Sequence, residues 1–418
     1  MSVDNSEMVQ KILKGITVTY KKTVNSIAFV PAIVAVVFSL LSVLMIEFDF
    51  SEQGKSLKKN FRWLSLQDPE TARTIASSIV GGVISLTVFS FSMVMILLNQ
   101  AASQMSNRIL DKLIGNRFQQ IVLGFYIGTI VYSLFLLSTI RDIDSGIYVP
   151  AISTYILIAL TIVDIFLFIY FLHYITQSVK YETIIHRIYD DTMASIKSSC
   201  LLNSKPVTIP VEKSGKVINA YKSGVYQGFD RNGLLHLCSK ENLVISFLHP
   251  VGTFVLKHSP LFYLRSDSSL PEDMEKRLSA VINIHRGQNV ATNYYYGFKH
   301  LTEVAIKALS PGINDPGTAA MSLQGLGDLL AYRMCHFPET HLRDDETVRI
   351  IITEKTFENV FEEHILPVWH YGKDDRLIQR EMLNILQQLV NIKESPEIRS
   401  LLETVQVSIN RSKIELIS

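Results

Sequence analysis

The 418-residue sequence predicts an α-helical membrane protein with four transmembrane helices, followed by a cytoplasmic α+β region made of a small β module and then a helical domain. Three observations predict this class. Four stretches, 27–46, 75–98, 121–140 and 147–172, hold almost no charge, and each has 20 residues or more. A helix crossing the hydrocarbon core needs about 20 apolar residues. The composition is 48% hydrophobic and only 19% charged, a low charge content for a soluble chain. Beyond residue 172 the apolar pattern becomes first helical, then alternating, then helical again.

The first 26 residues carry Lys11, Lys14, Lys21 and Lys22 and no apolar core, so they read as a cytoplasmic N-terminus rather than a secretory signal. Lys and Arg near span ends favour the cytoplasmic side. With both termini inside, the N-terminus, the second loop (Arg108, Lys112, Arg117) and the segment after the fourth span (Lys180, Arg187) share that side. The first loop, Glu47–Thr74, then lies outside, with Arg141 in the third loop. Phe61, Trp63, Leu64 and Leu66 stand among Lys58, Lys59 and Arg62 there, as in an interfacial segment anchored by Trp63 or, alternatively, the wall of an extracytoplasmic vestibule.

Residues 173–203 lack Pro and Gly, and Tyr181, Ile184, Ile185 and Ile188 recur at helical spacing. They are expected to extend the fourth span as a helix. Between 204 and 266 short apolar runs alternate with turns: Val207–Val211, Val217–Tyr221, Val225–Phe229, Leu234–Leu237, Leu243–Phe247 and Thr253–Leu256. Asp230-Arg231-Asn232-Gly233 reads as a turn between two of them. This predicts the small β module, a partly closed barrel. The remainder, 267–418, is expected to be helical over 271–286, 294–309, 316–334, 344–366, 374–393 and 396–413. Asp315-Pro316 and Ser395-Pro396 are proper helix starts, a capping side chain followed by Pro at the first helical position.

Charge and cysteine usage exclude several classes. Lys and Arg number 40 against 39 Asp and Glu, too balanced for a nucleic-acid surface. Cys200, Cys238 and Cys335 form no short motif and imply no disulfide framework. No phosphate-cradling Gly-rich loop, His-Glu-x-x-His or Gly-x-Ser-x-Gly is present, so the enzyme class is the weaker reading and no catalytic residue is assigned. His364 and His370 straddle Pro367, and His336 and His341 flank Pro338; neither pair has ligand spacing, and no cofactor or metal is called for.

Three features of the spans and one of the helical region carry function. In the second span Ser78, Ser85, Ser92, Asn99 and Ser106 are seven residues apart, with Gly81, Gly82, Gln100 and Ser103 beside them. A helix drifts only about 20° per seven residues, so they form one slowly turning polar stripe. Such a stripe either packs against another helix or lines a pore. Asp164 lies inside the fourth span, where a carboxylate costs roughly 2.5–3.5 kcal/mol and needs a partner, a proton or water. With both termini inside it falls at a depth similar to Ser92, so the two are candidates for a shared cation site or a mutual hydrogen bond. Gly124 and Gly128 in the third span are expected to admit a close helix neighbour, within the subunit by preference, with a contact between subunits as the alternative. Ser310, Pro311, Asn314, Asp315 and Pro316 form a rigid bend between two helices, either a structural corner or a contact for an anion or a partner.

The run from Leu98 to Leu110, Leu-Asn-Gln-Ala-Ala-Ser-Gln-Met-Ser-Asn-Arg-Ile-Leu, and the run from Ala305 to Ala319, containing Lys307-Ala308-Leu309-Ser310-Pro311 and Asn314-Asp315-Pro316, resemble motifs of a bacterial family of predicted membrane proteins, domain of unknown function 2254. An Arg-Thr and Gln-Asp pattern of that family is replaced here by Arg286-Gly287-Gln288-Asn289 and Thr292-Asn293. The resemblance implies four spans followed by a non-membrane region, and a bacterial inner-membrane location; it implies no activity. The physical reading is a homo-oligomeric channel or transport-type protein for ions or small solutes, lined by the second span and assembled or gated by the cytoplasmic region. The rival is a membrane-anchored scaffold or sensor whose cytoplasmic domain binds a partner. The lipid bilayer is the partner common to both, and nucleic acid is a partner of neither.

Overall fold

The computed structural model describes residues 26, 28–60, 66, 68–104, 117–140, 149–178, 180–206, 215–266, 271–287, 290 and 292–414. Outside them lie the N-terminal lysines, Phe61 to Leu64, Ser106, Arg108, Lys112, Arg141, Val207–Val211, Gln288 and Asn289; of Lys59, Gln100 and Ser103 only the backbone is described. The chain divides into two compact units, which meet in sequence at Lys180 and Tyr181.

Four helices of the first unit are long and apolar enough to cross a membrane: α1 Phe29–Phe50, then α3 Pro69–Gln104, α4 Arg117–Thr139 and α5 Ala151–Ser178, with a short α2 Glu52–Asn60 after α1. The first loop is shorter than expected because α1 continues to Phe50 and α3 starts at Pro69. Asp68 caps α3, accepting from the amides of Glu70 and Thr71 at 3.2 and 3.0 Å, with Pro69 at the first helical position. Ser51 turns the chain from α1 into α2, its hydroxyl accepting from Gly54 N at 3.1 Å. Gly54 is required here, because a Cβ would stand 2.2 Å from the Phe48 carbonyl oxygen.

α1, α4 and α5 pack together. Gly124 and Gly128 are the reason α1 and α4 approach closely. A Cβ on Gly128 would lie 2.7 Å from the Phe38 ring, and one on Gly124 3.1 Å from Val34. The paired glycines thus serve packing within the subunit, as their spacing predicts. α3 buries only a narrow line, Ala72, Ala76, Val83 and Ser90, spaced four, seven and seven residues apart.

The expected helical extension of the fourth span is instead two helices. α5 ends at Ser178, and α6 Tyr181–Ser199 belongs to the second unit. The chain changes there from apolar residues to Thr176, Gln177, Ser178 and Lys180. α6 then buries Ile184, Ile185, Ile188 and Ile196 against its own unit.

The second unit holds β1 Lys216–Asn219, β2 Gly224–Phe229, α7 Arg231–Lys240, β3 Leu243–Phe247, β4 Phe254–Val255, β5 Pro260–Ser266, α8 Met274–Val281, β6 Ile282–His285, α9 Tyr295–Ala308, α10 Pro316–Cys335, β7 His341–Asp344, β8 Thr347–Ile351, α11 Phe357–Gly372, α12 Arg376–Ile392 and α13 Pro396–Ile414. One sheet runs β1-β5-β3-β8-β7 and a second β4-β2-β6. β8 pairs parallel with β3, Ile245 opposite Ile350, so strands from the later part of the chain complete the first sheet. No barrel closes within 204–266 among the described residues.

Three stretches of this unit differ from the reading of the sequence. Leu234–Leu237 is helix, not strand: Leu234, Leu237 and Cys238 lie at helical spacing and are buried on one face of α7, and Asp230 begins that helix rather than a turn. The helix expected over 271–286 stops at Val281, because Ile282 and Ile284 alternate with exposed Asn283 and His285 and pair with β2. The helix expected over 344–366 is a hairpin followed by α11. Asp345 takes a left-handed turn conformation (φ 51°), and Thr356 with Asn359 caps α11. The core beneath the sheets gathers Tyr226, Phe247 and Phe262, with Tyr226 and Phe229 stacked on Phe247.

Candidate functional site in the helical bundle

The stripe of α3 faces away from its own subunit. Ser78, Ser85, Ser92 and Asn99 are all exposed, whereas the buried line runs through Ala76, Val83 and Ser90. The two lines are offset by two residues, a turn of about 200° around the helix. Gly81 and Gly82 lie on the open side as well, with nothing within 4 Å of the place a Cβ would occupy. Ser85 meets its own need for a partner by donating to the Gly81 carbonyl at 2.8 Å, so the hydroxyl is tolerable next to hydrocarbon. Large apolar neighbours, Val88, Phe89, Phe91 and Ile96, share the outward surface.

Asp164 has the opposite placement. It is wholly buried in the bundle, and neither carboxylate oxygen has a hydrogen-bond partner among the described residues. The Thr129 hydroxyl of α4 faces it, but short of hydrogen-bond geometry. The Tyr126 hydroxyl, one turn before Thr129, is within electrostatic reach of Asp164 and faces Ser90 of α3. Ser90, Tyr126, Thr129 and Asp164 therefore form a polar cluster drawn from three spans, in a place where apolar side chains are the rule. Asp164 is not brought together with Ser92. The helix turns Ser92 outward and presents Ser90 instead, a residue outside the seven-residue series.

A second buried acid escaped the reading of the sequence because it was assigned to the first loop. Asp49, at the end of α1, is fully buried. Its carboxylate accepts from Ile152 N at 3.1 Å, Ser153 N at 2.7 Å and Ser153 Oγ at 2.6 Å, so it caps the start of α5. Lys58 of α2 completes the site, donating to both the Asp49 carboxylate at 3.1 Å and its carbonyl at 2.8 Å. The signal available in the sequence was an acid between two aromatic residues, Phe48 and Phe50, one turn beyond an apolar run.

In the second unit the Ser310–Pro316 segment joins α9 to α10. Asp315 caps α10, its two oxygens accepting from Thr318 N at 3.1 Å and Thr318 Oγ1 at 2.6 Å. Asn314 adopts a left-handed conformation (φ 49°) that Asn tolerates well, and its amide donates to the Ser310 carbonyl at 2.9 Å. Ser310 Oγ returns to the Lys307 carbonyl at 2.6 Å. The capping oxygens of Asp315 occupy the helix start, and Pro311 and Gly312 are exposed.

Residues 24–388 match the family described as predicted membrane protein, DUF2254. An uncharacterized protein of Mycobacterium tuberculosis is 22% identical over 348 residues, which cover 80% of this chain and 67% of that protein. An uncharacterized protein of Mycobacterium bovis is similar to the same extent, 22% over 348 residues with the same coverage. No solved structure matches the chain. With the family match spanning the four apolar helices and most of the second unit, the chain belongs to the DUF2254 family of predicted membrane proteins.

Proposed function

We propose that the protein is a homo-oligomeric channel or transport-type protein for ions or small solutes, in which the α3 helices of several copies surround a common axis. One observation carries this reading: the polar stripe of α3 lies opposite the face that α3 buries in its own subunit. Packing inside the subunit therefore leaves the stripe without a neighbour. A single subunit exposes it, with the bare Gly81 and Gly82, to lipid. Symmetric association of α3 removes the stripe from lipid and lines the axis with hydroxyl and amide groups. The proposed setting is the bacterial cytoplasmic membrane, with both termini and residues 181–418 in the cytoplasm, in keeping with the distribution of Lys and Arg and the unpaired cysteines. The cytoplasmic unit is proposed to assemble or gate the ring.

The competing reading is a membrane-anchored scaffold or sensor, favoured by the size of the second unit and its own aromatic core. Single-particle imaging in lipid nanodiscs, paired with ion flux in liposomes, separates the two. A ring with an axial gap lined by α3, and flux above that of empty liposomes, supports conduction. A monomer with a closed bundle and no flux defeats it.

A further inference from the structure

We infer that a cavity in the second unit, of about 340 Å³, is a binding site for a small organic monoanion with an apolar body. It lies between the end of α10, the connector 352–356, the start of α11 and the residues that join α12 to α13. Its volume falls in the range of small-molecule sites, roughly 300–1,000 Å³. The apolar part of the wall comes from Met334, Phe337, Ile351, Ile352 and Phe357.

The polar part of the wall is unevenly committed. Lys355 pairs with Glu363, and Glu394 with Arg399, so these four charges cancel. Neither Lys205 nor Lys393 forms an ion pair among the described residues, and Lys205 acts on Glu358 only at longer range. Lys393 donates to the Met334 carbonyl at 3.3 Å and stands 5.2 Å from the centre of the Phe337 ring. Arg333 is buried, and its guanidinium donates to the carbonyls of His336 at 3.2 Å and Lys355 at 3.1 Å; its Nε has no partner among the described residues. Against these three cations stand Glu354 and Glu358. Burial raises the Glu354 carboxyl above its ordinary pKa, despite a 3.0 Å hydrogen bond from the Tyr295 hydroxyl and the nearby Arg333. For Glu358 burial opposes ionisation too, but the Thr356 hydroxyl, its own backbone amide, Lys205 and Arg333 together hold its pKa low. The wall is left with positive charge in excess beside an apolar surface, and a monoanion completes it.

The backbone fixes the lysine at the rim. Leu202 and Phe337 exchange two hydrogen bonds, Leu202 N to Phe337 O at 3.1 Å and Phe337 N to Leu202 O at 2.8 Å, which brings the segment bearing Lys205 to the cavity. Thr353 Oγ1 ties the connector to β3 through the Phe247 carbonyl at 2.6 Å. The site is complete within residues 200–400 and does not depend on conduction.

The test is equilibrium binding of radiolabelled 4-phenylbutyrate to the full-length protein in lipid nanodiscs, with binding to empty nanodiscs subtracted. The neutral 4-phenylbutyramide is the competitor that lacks the charge. Saturable binding is expected, with the amide competing at least tenfold less well than the unlabelled acid. Lys205→Glu and Lys393→Gln alter rim charges without opening the core, and each should weaken binding at least fivefold. The absence of saturable binding overturns the inference. So does equal competition by acid and amide, or unchanged affinity in both variants.

Discussion

The carboxylate of Asp49 accepts two hydrogen bonds from Ser153, from its amide at 2.7 Å and its hydroxyl at 2.6 Å, and so ties the end of the first span to the start of the fourth. Helix starts carry unpaired amides and partial positive charge, and a carboxylate satisfies both. Lys58 closes the arrangement from the side, its own side chain 19% exposed. The acid is thus neutralised where water is scarce, and the ends of two spans are held by one residue.

Asp49→Ala should destabilise the protein by about 3 kcal/mol, since it leaves the α5 amides unpaired in a covered site and the Lys58 ammonium with only the residue-49 carbonyl and no counter-charge. Lys58→Ala should cost less, because the carboxylate keeps its three bonds from Ile152 and Ser153. Thermal unfolding in detergent, followed by circular dichroism, checks the order. Equal melting temperatures for Asp49→Ala and the parent protein would contradict the clamp.

Two glycines should respond in opposite ways to the same change. Gly128→Ala forces a methyl to within 2.7 Å of the Phe38 ring, and overpacking of this kind costs about 1–3 kcal/mol. Gly81→Ala meets open space in the subunit and should leave its stability unchanged. A fall in oligomer size on Gly81→Ala, with the monomer still folded, places a second copy against that face. The readouts are melting temperature and mass by light scattering.

Ser85→Leu and Ser92→Leu test the stripe directly. Both residues are exposed in the subunit, so neither leucine disturbs its packing. In a ring, a bulky apolar side chain at the axis should dry the constriction and abolish flux in liposomes while assembly persists. Intact, assembled variants with normal flux would remove α3 from the pore.

Asp164→Asn separates a working acid from a strut. The amide keeps the size and still faces the Thr129 hydroxyl, but it cannot take up or release a proton. If Asp164 titrates during transport, the variant should insert normally and lose the pH dependence of flux. An unchanged pH profile in liposomes would reduce Asp164 to a packing role.

His364 makes the second unit sensitive to acid. Burial, with Lys355 and Lys299 nearby, lowers its pKa from 6.5 to about 3, so the folded protein holds it neutral. The unfolded chain binds a proton near its ordinary pKa, and the folded one does not until far lower pH. The contribution to stability is therefore complete above about pH 6.5 and is lost as pH falls toward 3, by about 1.4 kcal/mol per unit at most. His364→Gln should flatten the decline of melting temperature between pH 7 and 5. The same slope in parent and variant would assign the acid sensitivity elsewhere.

The four spans were legible in the sequence because burial in lipid demands uninterrupted apolar residues, a one-dimensional property that Ile27–Ile46 or Ile75–Leu98 displays without any partner. The same holds for the Asp315-Pro316 helix start and the Gly124–Gly128 contact, whose residue types act on their nearest neighbours. Short apolar runs were not legible in this way. Leu234-Leu235-His236-Leu237 fits either period, and only packing of Leu234, Leu237 and Cys238 on one side made it a helix. Thr347–Ile351 became a strand because β3 offered it a parallel edge, a pairing more than a hundred residues distant. The seven-residue spacing of Ser78, Ser85, Ser92 and Asn99 fixed them on one face of α3, but only the tertiary structure decided which way that face turns. It also decided that Ser90, not Ser92, joins Asp164, Thr129 and Tyr126, because which face of a helix is buried depends on the neighbours it meets and not on the helix itself.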